Sequence, residues 1–234
     1  MKKEDINICY MINELYLDLT YKSMDYIRKQ FRRSEEYNLR FWIIGIEQFD
    51  VEGDDVTFVM TSHPELPILH QRVYIPEILG VDKVIFIDSD TITLTCISKL
   101  WNIDLEGHPM GAVQHCQART FGLVKMYWED MDISPFKDFP DDTKYFNCGV
   151  MVFDCKKWIE QKIPEQILEN FKFYAHTVHH KYDEPGFNVT LHDKWKEFDI
   201  KWNFLPLKAD RPAVCHILHY YGEYPAGTPR HKMF

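Results

Sequence analysis

Two aspartates separated by one residue follow an apolar stretch of the sequence. Residues 84–87 are Val, Ile, Phe and Ile, and Asp88, Ser89 and Asp90 come directly after them. Two carboxylates at this spacing repel each other, and where water is scarce the repulsion raises a pKa or draws in a cation. Ligands of parallel α/β sheets bind beyond the carboxyl ends of the strands. If residues 83–87 form such a strand, the two aspartates lie where a cation binds.

The same aspartates are also typical of a helix start. Asp90, or Thr91 after it, belongs to the residue types favoured at a helix N-cap, where the side chain accepts a hydrogen bond from a backbone N–H. An isolated Asp-x-Asp sequence is short enough to occur often by chance. The choice between a cation site and a helix cap therefore depends on the rest of the chain.

The stretches around the aspartates alternate between strand and helix patterns. Residues 7–12, 39–45, 55–60 and 83–87 have the apolar character of buried strands. Between the first two, residues that would line one face of a helix recur at spacings of four, three and four, namely Thr20, Met24, Ile27 and Phe31. This alternation predicts an α/β fold with a mainly parallel central sheet flanked by helices.

Prolines mark several other predicted boundaries. Pro76 interrupts a helical pattern ahead of the aspartates, so we expect a kink or a helix that starts later. Residues 129–143 are acidic and contain two prolines, which predicts a surface loop. Residues 150–153 predict another buried strand, and Pro164 is expected to open a helix. Residues 203–234 are rich in Pro, His, Tyr and Gly and predict a lid.

Composition narrows the possible classes of protein. The 234 residues are 45% hydrophobic and 15% aromatic, which suits one domain with a sizeable core. The net charge of −9 and the lack of a long basic run argue against nucleic acid as a partner. The first apolar run is too short for a signal sequence or an integral membrane span, which favours a cytoplasmic protein. The six cysteines form no CxxC pair, which argues against a zinc knuckle and a dense disulfide framework.

An ordered set of segments resembles a known enzyme family. FIDSDT is followed by Leu100 and Trp101, then by YFNCGVMVFDCKKW, YDEPGFN and, near the carboxyl end, HYYG. Together these segments resemble the retaining glycosyltransferases of family 8, to which glycogenin and the bacterial lipopolysaccharide galactosyltransferases belong. The resemblance runs from NICYMIN to HYYG and so covers most of the chain. It implies a single GT-A-type domain with a nucleotide-binding half (1–104), an acceptor and sugar half (105–218) and a lid (219–234).

The resemblance also implies a metal site. In such enzymes the two aspartates and a histidine from a carboxyl-terminal HxxG element hold one Mn²⁺, or Mg²⁺. The protein ligands here would be Asp88, Asp90 and His219, with Ser89 between the aspartates. Two carboxylates and one imidazole suit Mn²⁺, and its other positions would take diphosphate oxygens of a UDP-sugar.

Three histidines compete for the third ligand position. His216, His219 and His231 all lie near the carboxyl end. His219 is preferred because Gly222 follows it at the family spacing. Without the resemblance a lone histidine is more often packed or solvated than bound to a metal.

Donor contacts implied by the resemblance come from separate segments of the chain. Arg72 would contact the diphosphate or the sugar of the donor, and its alternative is a surface helix arginine. The contacts to the uracil base and to the sugar would come from Met11, Asn13, Tyr16, Asn147 and Gly149. Leu15 replaces a polar residue that is often present near the ribose.

Asp183 and Glu184 are the residues to which the resemblance assigns the chemistry. They lie in YDEPGFN, where the family places an acidic residue and a glutamine or similar group beside the anomeric carbon. Either carboxylate would stabilise positive charge on the sugar or act as a transient nucleophile, so a covalent and a front-face mechanism both stay open. The alternative is that both are ordinary loop acids.

Taken together, these features predict a metal-dependent retaining hexosyltransferase. The donor would be UDP-glucose or UDP-galactose, and the acceptor a hydroxyl of a glycan or glycoconjugate. Relative to the family pattern, the chain lacks a lysine and tryptophan after HxxG, and Arg230 or Lys232 would have to supply that cation. Two alternatives are an inert protein that binds sugar nucleotides or carbohydrates, and a nucleotidyltransferase. The second usually needs a glycine-rich loop, which NICYMINELYL lacks.

Overall fold

A seven-stranded sheet runs through the centre of the protein. The computed structural model describes residues 3–127, 136–174, 183–206 and 214–220. The strands in these residues are, in chain order, β1 (Glu4–Ile12), β2 (Tyr37–Gly45), β3 (Val56–Met60), β4 (Lys83–Ile87), β5 (Thr91–Thr93), β6 (Met110–Gln114), β7 (Phe146–Asp154), β8 (Trp195–Phe198) and β9 (Ile217–His219). The large sheet has the order β3-β2-β1-β4-β7-β6-β8, and β5 pairs with β9 in a second, small sheet.

The central sheet is mainly parallel, as the sequence predicts. Strands β3, β2, β1 and β4 are parallel neighbours, and β6 is parallel to β8. Only β7 runs against its two neighbours, β4 and β6, in the part of the chain that the structure describes. The carboxyl ends of the other six strands therefore lie along one edge, and β7 begins at that edge.

Helices surround this sheet. They are α1 (Leu17–Gln30), α2 (Ile75–Leu79), α3 (Ser98–Trp101), α4 (Phe121–Tyr127), α5 (Cys155–Glu160), α6 (Ile163–Tyr174) and α7 (Glu184–Leu191), with short 3-10 helices at Glu14–Tyr16, His70–Tyr74 and Ile200–Asn203. Pro76 lies in the first turn of α2 and follows the His70–Tyr74 helix. The later start predicted from Pro76 is confirmed. Pro164 is the second residue of α6, which confirms that helix as well.

The two faces of the sheet bury separate apolar clusters. On β1, alternate residues such as Ile8 and Tyr10 pack with Ile27 of α1 on one face. On the other face, Cys9 belongs to a cluster with residues of α5, α6 and α7, including Trp158. Alternation along a strand sends successive side chains to opposite faces, so the sheet is covered on both sides, as predicted.

Several predicted segments are described only in part. Of the acidic segment 129–143, residues 136–143 form turns and irregular structure between α4 and β7, and the rest lies outside the described residues. Of the predicted lid, residues 203–206 and 214–220 are described, and the part from 221 onwards is not. Among the described residues, no helix has the length and apolar character needed to cross a membrane.

Candidate active site

The aspartate pair lies in a short connection between two strands. β4 ends at Ile87, and the Asp88 N–H donates to the Gly149 carbonyl of β7 at 2.8 Å. The chain continues after Asp90 into β5, and the next helix begins at Ser98. The helix-cap interpretation is therefore wrong.

Hydrogen bonds between hydroxyl groups attach the connection between β4 and β5 to α1. The Ser89 hydroxyl lies 2.8 Å from that of Thr20, and Ser23 lies 3.0 Å from the Thr91 hydroxyl. Thr91 also donates to the Asp88 carbonyl at 2.9 Å. All four of these side chains are buried, so the backbone that carries the aspartates is fixed from its inner side.

His219 reaches the aspartates through the small sheet. In the β5–β9 pair it lies opposite Thr91, and the N–H of the next residue donates to the Asp90 carbonyl at 3.0 Å. The His219 Nε2 lies 3.2 Å from Asp90 Oδ1 and 3.6 Å from Asp88 Oδ2. One ligand atom from each of these three residues lies within 4.8 Å of the others. Two carboxylate oxygens and an imidazole nitrogen at these separations fit a cation such as Mn²⁺.

Opposite charges explain why the side chains of Asp88, Asp90 and His219 lie so close together. Burial alone would lower the pKa of His219, but its hydrogen bond with Asp90 and the charges of both aspartates outweigh burial and raise the pKa above its ordinary value. Desolvation raises the pKa of Asp88 to about 6, although Arg72 and His219 favour the charged carboxylate. A positive charge between the two carboxylates is thus favoured.

The other two candidate histidines are not brought to this cluster in the described residues. The His216 ring packs on Trp202 with a centroid separation of 4.6 Å. His231 and Gly222 lie outside the described residues, as do Arg230 and Lys232.

Arg72 joins the cluster to a second pair of acids. It lies in the His70–Tyr74 helix and is 7% exposed, so the alternative of a surface arginine is wrong. Its Nη2 donates to Asp88 Oδ1 at 2.7 Å and its Nη1 to Asp183 Oδ2 at 3.1 Å. The guanidinium also lies over the Phe86 ring, 4.7 Å from its centroid. Charge-assisted bonds of this kind fix both carboxylates in orientation.

Asp183 and Glu184 lie at the start of α7 and are 3% and 6% exposed. The alternative of ordinary surface acids is therefore wrong. Glu184 Oε1 accepts from Asn147 Nδ2 at 2.5 Å and from the Cys148 N–H at 3.3 Å. Burial, followed by the nearby charge of Asp183, raises the pKa of Glu184 to about 8.

Two asparagines that sequence reasoning missed organise these groups. The Asn188 amide accepts from the Phe146 N–H at 2.7 Å and donates to its carbonyl at 2.9 Å, which attaches α7 to the start of β7. Asn203 donates to Asn147 Oδ1 at 2.6 Å and faces His219 Nδ1 at 2.9 Å. Both asparagines interrupt apolar stretches, GFNV and WNFL. A buried amide must find hydrogen-bond partners, but the sequence does not show which residues those partners are.

The lack of a side chain at Gly149 leaves space for the His219 ring. A Cβ on this residue would lie 2.2 Å from His219 Cε1 and 2.9 Å from Asn147 Oδ1. Only glycine leaves room for so close an approach. The predicted approach of Asn147 and Gly149 to a sugar stays a prediction.

The predicted base-binding residues lie at the end of β1. Met11 is buried in the core on the α5 side of the sheet. Asn13 follows the strand, and within the described residues its buried Oδ1 has no hydrogen-bond partner. Tyr16 is 37% exposed and Leu15 is 92% exposed on the adjoining turn. An unpaired amide oxygen beside an open surface suits a ligand that offers an N–H.

A cavity of about 480 Å³ opens at the carboxyl ends of β6 and β8. Among its lining residues are Gln114, His115, Cys116, Arg119, Glu197 and Asp199. The His115 Nδ1 accepts from the N–H groups of Gln117 at 3.2 Å and Ala118 at 3.0 Å. Burial, and to a smaller extent the charge of His219, lower the pKa of His115 to about 4. His115 is therefore neutral at pH 7, with its proton on Nε2.

Comparison with known proteins identifies similar sequences. Residues 7–224 match the family model described as "Glycosyl transferase family 8". The chain is 27% identical to General stress protein A of Bacillus subtilis (strain 168) over 201 residues, which covers 82% of this chain and 65% of that protein. It is 29% identical over 160 residues to Probable galacturonosyltransferase-like 3 of Arabidopsis thaliana, covering 65% of this chain and 46% of that protein. The chain thus spans less than two thirds of each relative.

A solved structure shows the same fold. The galactosyltransferase LgtC, solved in complex with donor and acceptor sugar analogs, superimposes with a TM-score of 0.70 at 16% identity. The alignment covers 93% of this chain and 87% of LgtC. The fold is of the GT-A type, as the sequence resemblance implies.

Proposed function

This chain belongs to glycosyltransferase family 8, and from that premise we propose that it transfers a hexose from a UDP-sugar to an acceptor hydroxyl, with a divalent cation and with retention at the anomeric carbon. One observation carries the proposal. A cluster of Asp88, Asp90 and His219 lies at the carboxyl end of β4, and Arg72 connects it to the buried carboxylate of Asp183 at the start of α7.

The cation would be held by this three-residue cluster. When bound, Mn²⁺ or Mg²⁺ supplies positive charge that neutralises the leaving diphosphate. Asp88 would offer Oδ2 to the ion, because its Oδ1 accepts from Arg72. Arg72 would thereby keep that carboxylate oriented and add positive charge next to the diphosphate.

The donor would be recognised at both of its ends. The Oδ1 of Asn13, which has no hydrogen-bond partner among the described residues, suits the N3–H of uracil, and Met11 and Tyr16 adjoin it. At the sugar end, Asn147 and Gly149 would approach the hexose. Glu184 or Asp183 would face the anomeric carbon and stabilise positive charge there or act as a transient nucleophile. We propose UDP-glucose or UDP-galactose as the donor.

The acceptor would bind at the cavity beside β6 and β8. This cavity opens at the same edge of the sheet as the end of β4, because β4, β6 and β8 run in one direction. Its amide, guanidinium and carboxylate groups suit the hydroxyls of a glycan or glycoconjugate.

The test is release of UDP. The protein would be incubated with UDP-glucose or UDP-galactose, Mn²⁺ and a panel of monosaccharide and disaccharide acceptors, and UDP would be measured over time. We expect release with one of the two donors, loss of release in EDTA, and recovery when Mn²⁺ is restored.

A second measurement separates transfer from binding alone. If calorimetry shows Mn²⁺-dependent binding of UDP, but no combination of donor and acceptor yields free UDP from the UDP-sugar, the chain is an inert sugar-nucleotide-binding protein. Product NMR would report the anomeric configuration, and inversion would contradict the proposal of retention.

A further inference from the structure

A continuous series of side-chain hydrogen bonds leads from α7 to the metal cluster. Asn147 donates to Glu184 at 2.5 Å and accepts from Asn203 at 2.6 Å. Asn203 in turn lies 2.9 Å from His219 Nδ1. All four side chains are buried, so water does not substitute easily for any of these partners.

The backbone of β7 decides which way the Asn147 amide points. The Gly149 N–H donates to one end of this amide at 2.9 Å, so that end is the carbonyl oxygen. The other end is the NH₂ group, and it meets Glu184 Oε1, which also accepts from the Cys148 N–H. Two backbone N–H groups of one strand therefore set the polarity of the series, since a backbone N–H is a donor only.

The orientation of the Asn147 amide also determines that of the Asn203 amide. Because Asn147 Oδ1 is an acceptor, the Asn203 atom that lies 2.6 Å from it is the NH₂ nitrogen. The Asn203 carbonyl oxygen is left facing His219 Nδ1. A carbonyl oxygen accepts only, so Nδ1 carries a proton in the imidazolium and in the neutral ring alike. Nε2 donates to Asp90 in the imidazolium, and in the neutral ring its lone pair faces Asp88 and Asp90.

We propose that Asn203 is a positioning residue that holds His219 in its Nδ1–H form, with Nε2 available to the cation. This rests on the proposed function, in which His219 is a metal ligand. Partners on the second nitrogen of a metal-binding histidine fix its ring and typically change metal affinity by about 10- to 100-fold. Asn203 is well placed for this, because it ends the Ile200–Asn203 helix. The next residue, Phe204, pairs with β9, and its carbonyl accepts the His219 N–H at 2.9 Å.

Two variants separate the hydrogen bond to His219 from packing. Asn203→Asp keeps an oxygen opposite Nδ1 and, in its protonated form, an O–H donor towards Asn147 Oδ1, whereas Asn203→Leu has a similar size and neither group. We expect Asn203→Leu to weaken Mn²⁺ binding by about 10- to 100-fold and Asn203→Asp to stay within about threefold of the wild type. Mn²⁺ affinity would be measured by electron paramagnetic resonance of the free ion, with thermal unfolding of each variant beside it.

A spectroscopic measurement needs neither metal nor sugar. In ¹⁵N-histidine-labelled wild-type protein without metal, at a pH where the His219 ring is neutral, the ring nitrogen shifts should show a protonated Nδ1. A protonated Nε2 would overturn the proposal, and so would equal Mn²⁺ affinity of the two variants. Failure of the wild type to bind Mn²⁺ would instead contradict the proposed function, and the tautomer would still be decided by the spectrum.

Discussion

The two oxygens of Asp88 have different partners. Oδ1 accepts from Arg72 at 2.7 Å, and Oδ2 faces His219 at 3.6 Å. Asp90 differs, because its Oδ1 faces His219 at 3.2 Å while its backbone carbonyl accepts from the Tyr220 N–H, one residue after β9. Removing charge from Asp90 therefore changes the cation site and leaves its backbone bond in place.

Asp90→Asn should abolish UDP binding in Mn²⁺ and leave thermal stability without metal nearly unchanged. The amide keeps the size of the side chain but loses the charge that attracts the cation. Calorimetric titration of UDP and differential scanning calorimetry measure the two effects. Asp193→Asn, at a side chain that is 65% exposed, is the control and should change neither. An Asp90→Asn protein that is unfolded without metal would contradict this assignment.

Glu184→Gln should reduce turnover in a pH-dependent way. The pKa of Glu184 is about 8, so the carboxylate form increases as the pH rises through 8. We expect wild-type turnover to rise between pH 7 and 9. At pH 9, where the charge is present, turnover of the variant should be slower by roughly a hundredfold or more, with donor affinity little changed. At pH 6.5 the difference in turnover between variant and wild type should be smaller.

Asp183→Asn is the matched comparison for this variant. Asp183 accepts from Arg72, and losing that charge should alter the Michaelis constant for the donor as well as turnover. If Glu184→Gln is fully active while Asp183→Asn is inactive, the two roles are reversed. If both are fully active, α7 does not carry the chemistry.

At the scale of elements, the pair of short strands β5 and β9 unites the metal cluster. Each has three residues, and β9 is bonded on its other side to Phe204. Asp90 precedes β5 and His219 ends β9, so pairing the two strands brings the ligands together. The position of the His219 ring also requires space on β7, at Gly149.

Gly149→Ala should weaken Mn²⁺ binding by about tenfold or more, because the new methyl group would displace the His219 ring by steric overlap. The Cβ would lie 2.2 Å from His219 Cε1. Electron paramagnetic resonance of free Mn²⁺ measures the change. Gly80→Ala is the control: its φ of 60° disfavours alanine, and nothing lies within 4 Å of its Cβ position. That variant should lose stability and keep its metal affinity. Equal affinity in both would show that His219 has room to move.

Elements with a clear pattern were predictable, and elements without one were not. The bounds of β4 follow from an apolar run between Lys83 and Asp88. By contrast, β5 and β9 are too short to show alternation, and α7 is buried on all sides, so it has no amphipathic period. The candidate metal ligands were predicted from an ordered set of segments. Asn203 was not, because its partners come from β7 and β9 and are adjacent only after folding.

At the scale of the whole molecule, one buried acid links pH to stability. The folded-state pKa of Glu184, about 8, is above the value of about 4.3 expected for an unfolded chain. Between these values the folded protein binds more protons than the unfolded chain. The free energy of unfolding therefore contains a contribution that is fully present below about pH 4 and is lost as the pH rises to about 8.

The Glu184 variant should remove this dependence. We expect the urea midpoint of the wild type to fall, relative to that of Glu184→Gln, between pH 5.5 and 8.5. Glu65→Gln, at a side chain that is 65% exposed, should follow the wild type. Parallel midpoints for wild type and Glu184→Gln across this range would show that Glu184 is not protonated in the folded protein.

The reversed direction of β7 has a consequence for protein engineering. Asn147 and Gly149 reach the site from inside a strand that is paired on both sides. By contrast, Asn13 and Tyr16, two of the three predicted base-binding residues, follow β1, and the cavity-lining residues His115, Cys116 and Arg119 follow β6. Lengthening a loop costs little free energy, but inserting one residue into a strand turns every following side chain to the opposite face. Loop exchange after β1 or β6 is therefore the practical route to a new donor or acceptor, and grafts there would leave the hydrogen bonds that orient His219 in place.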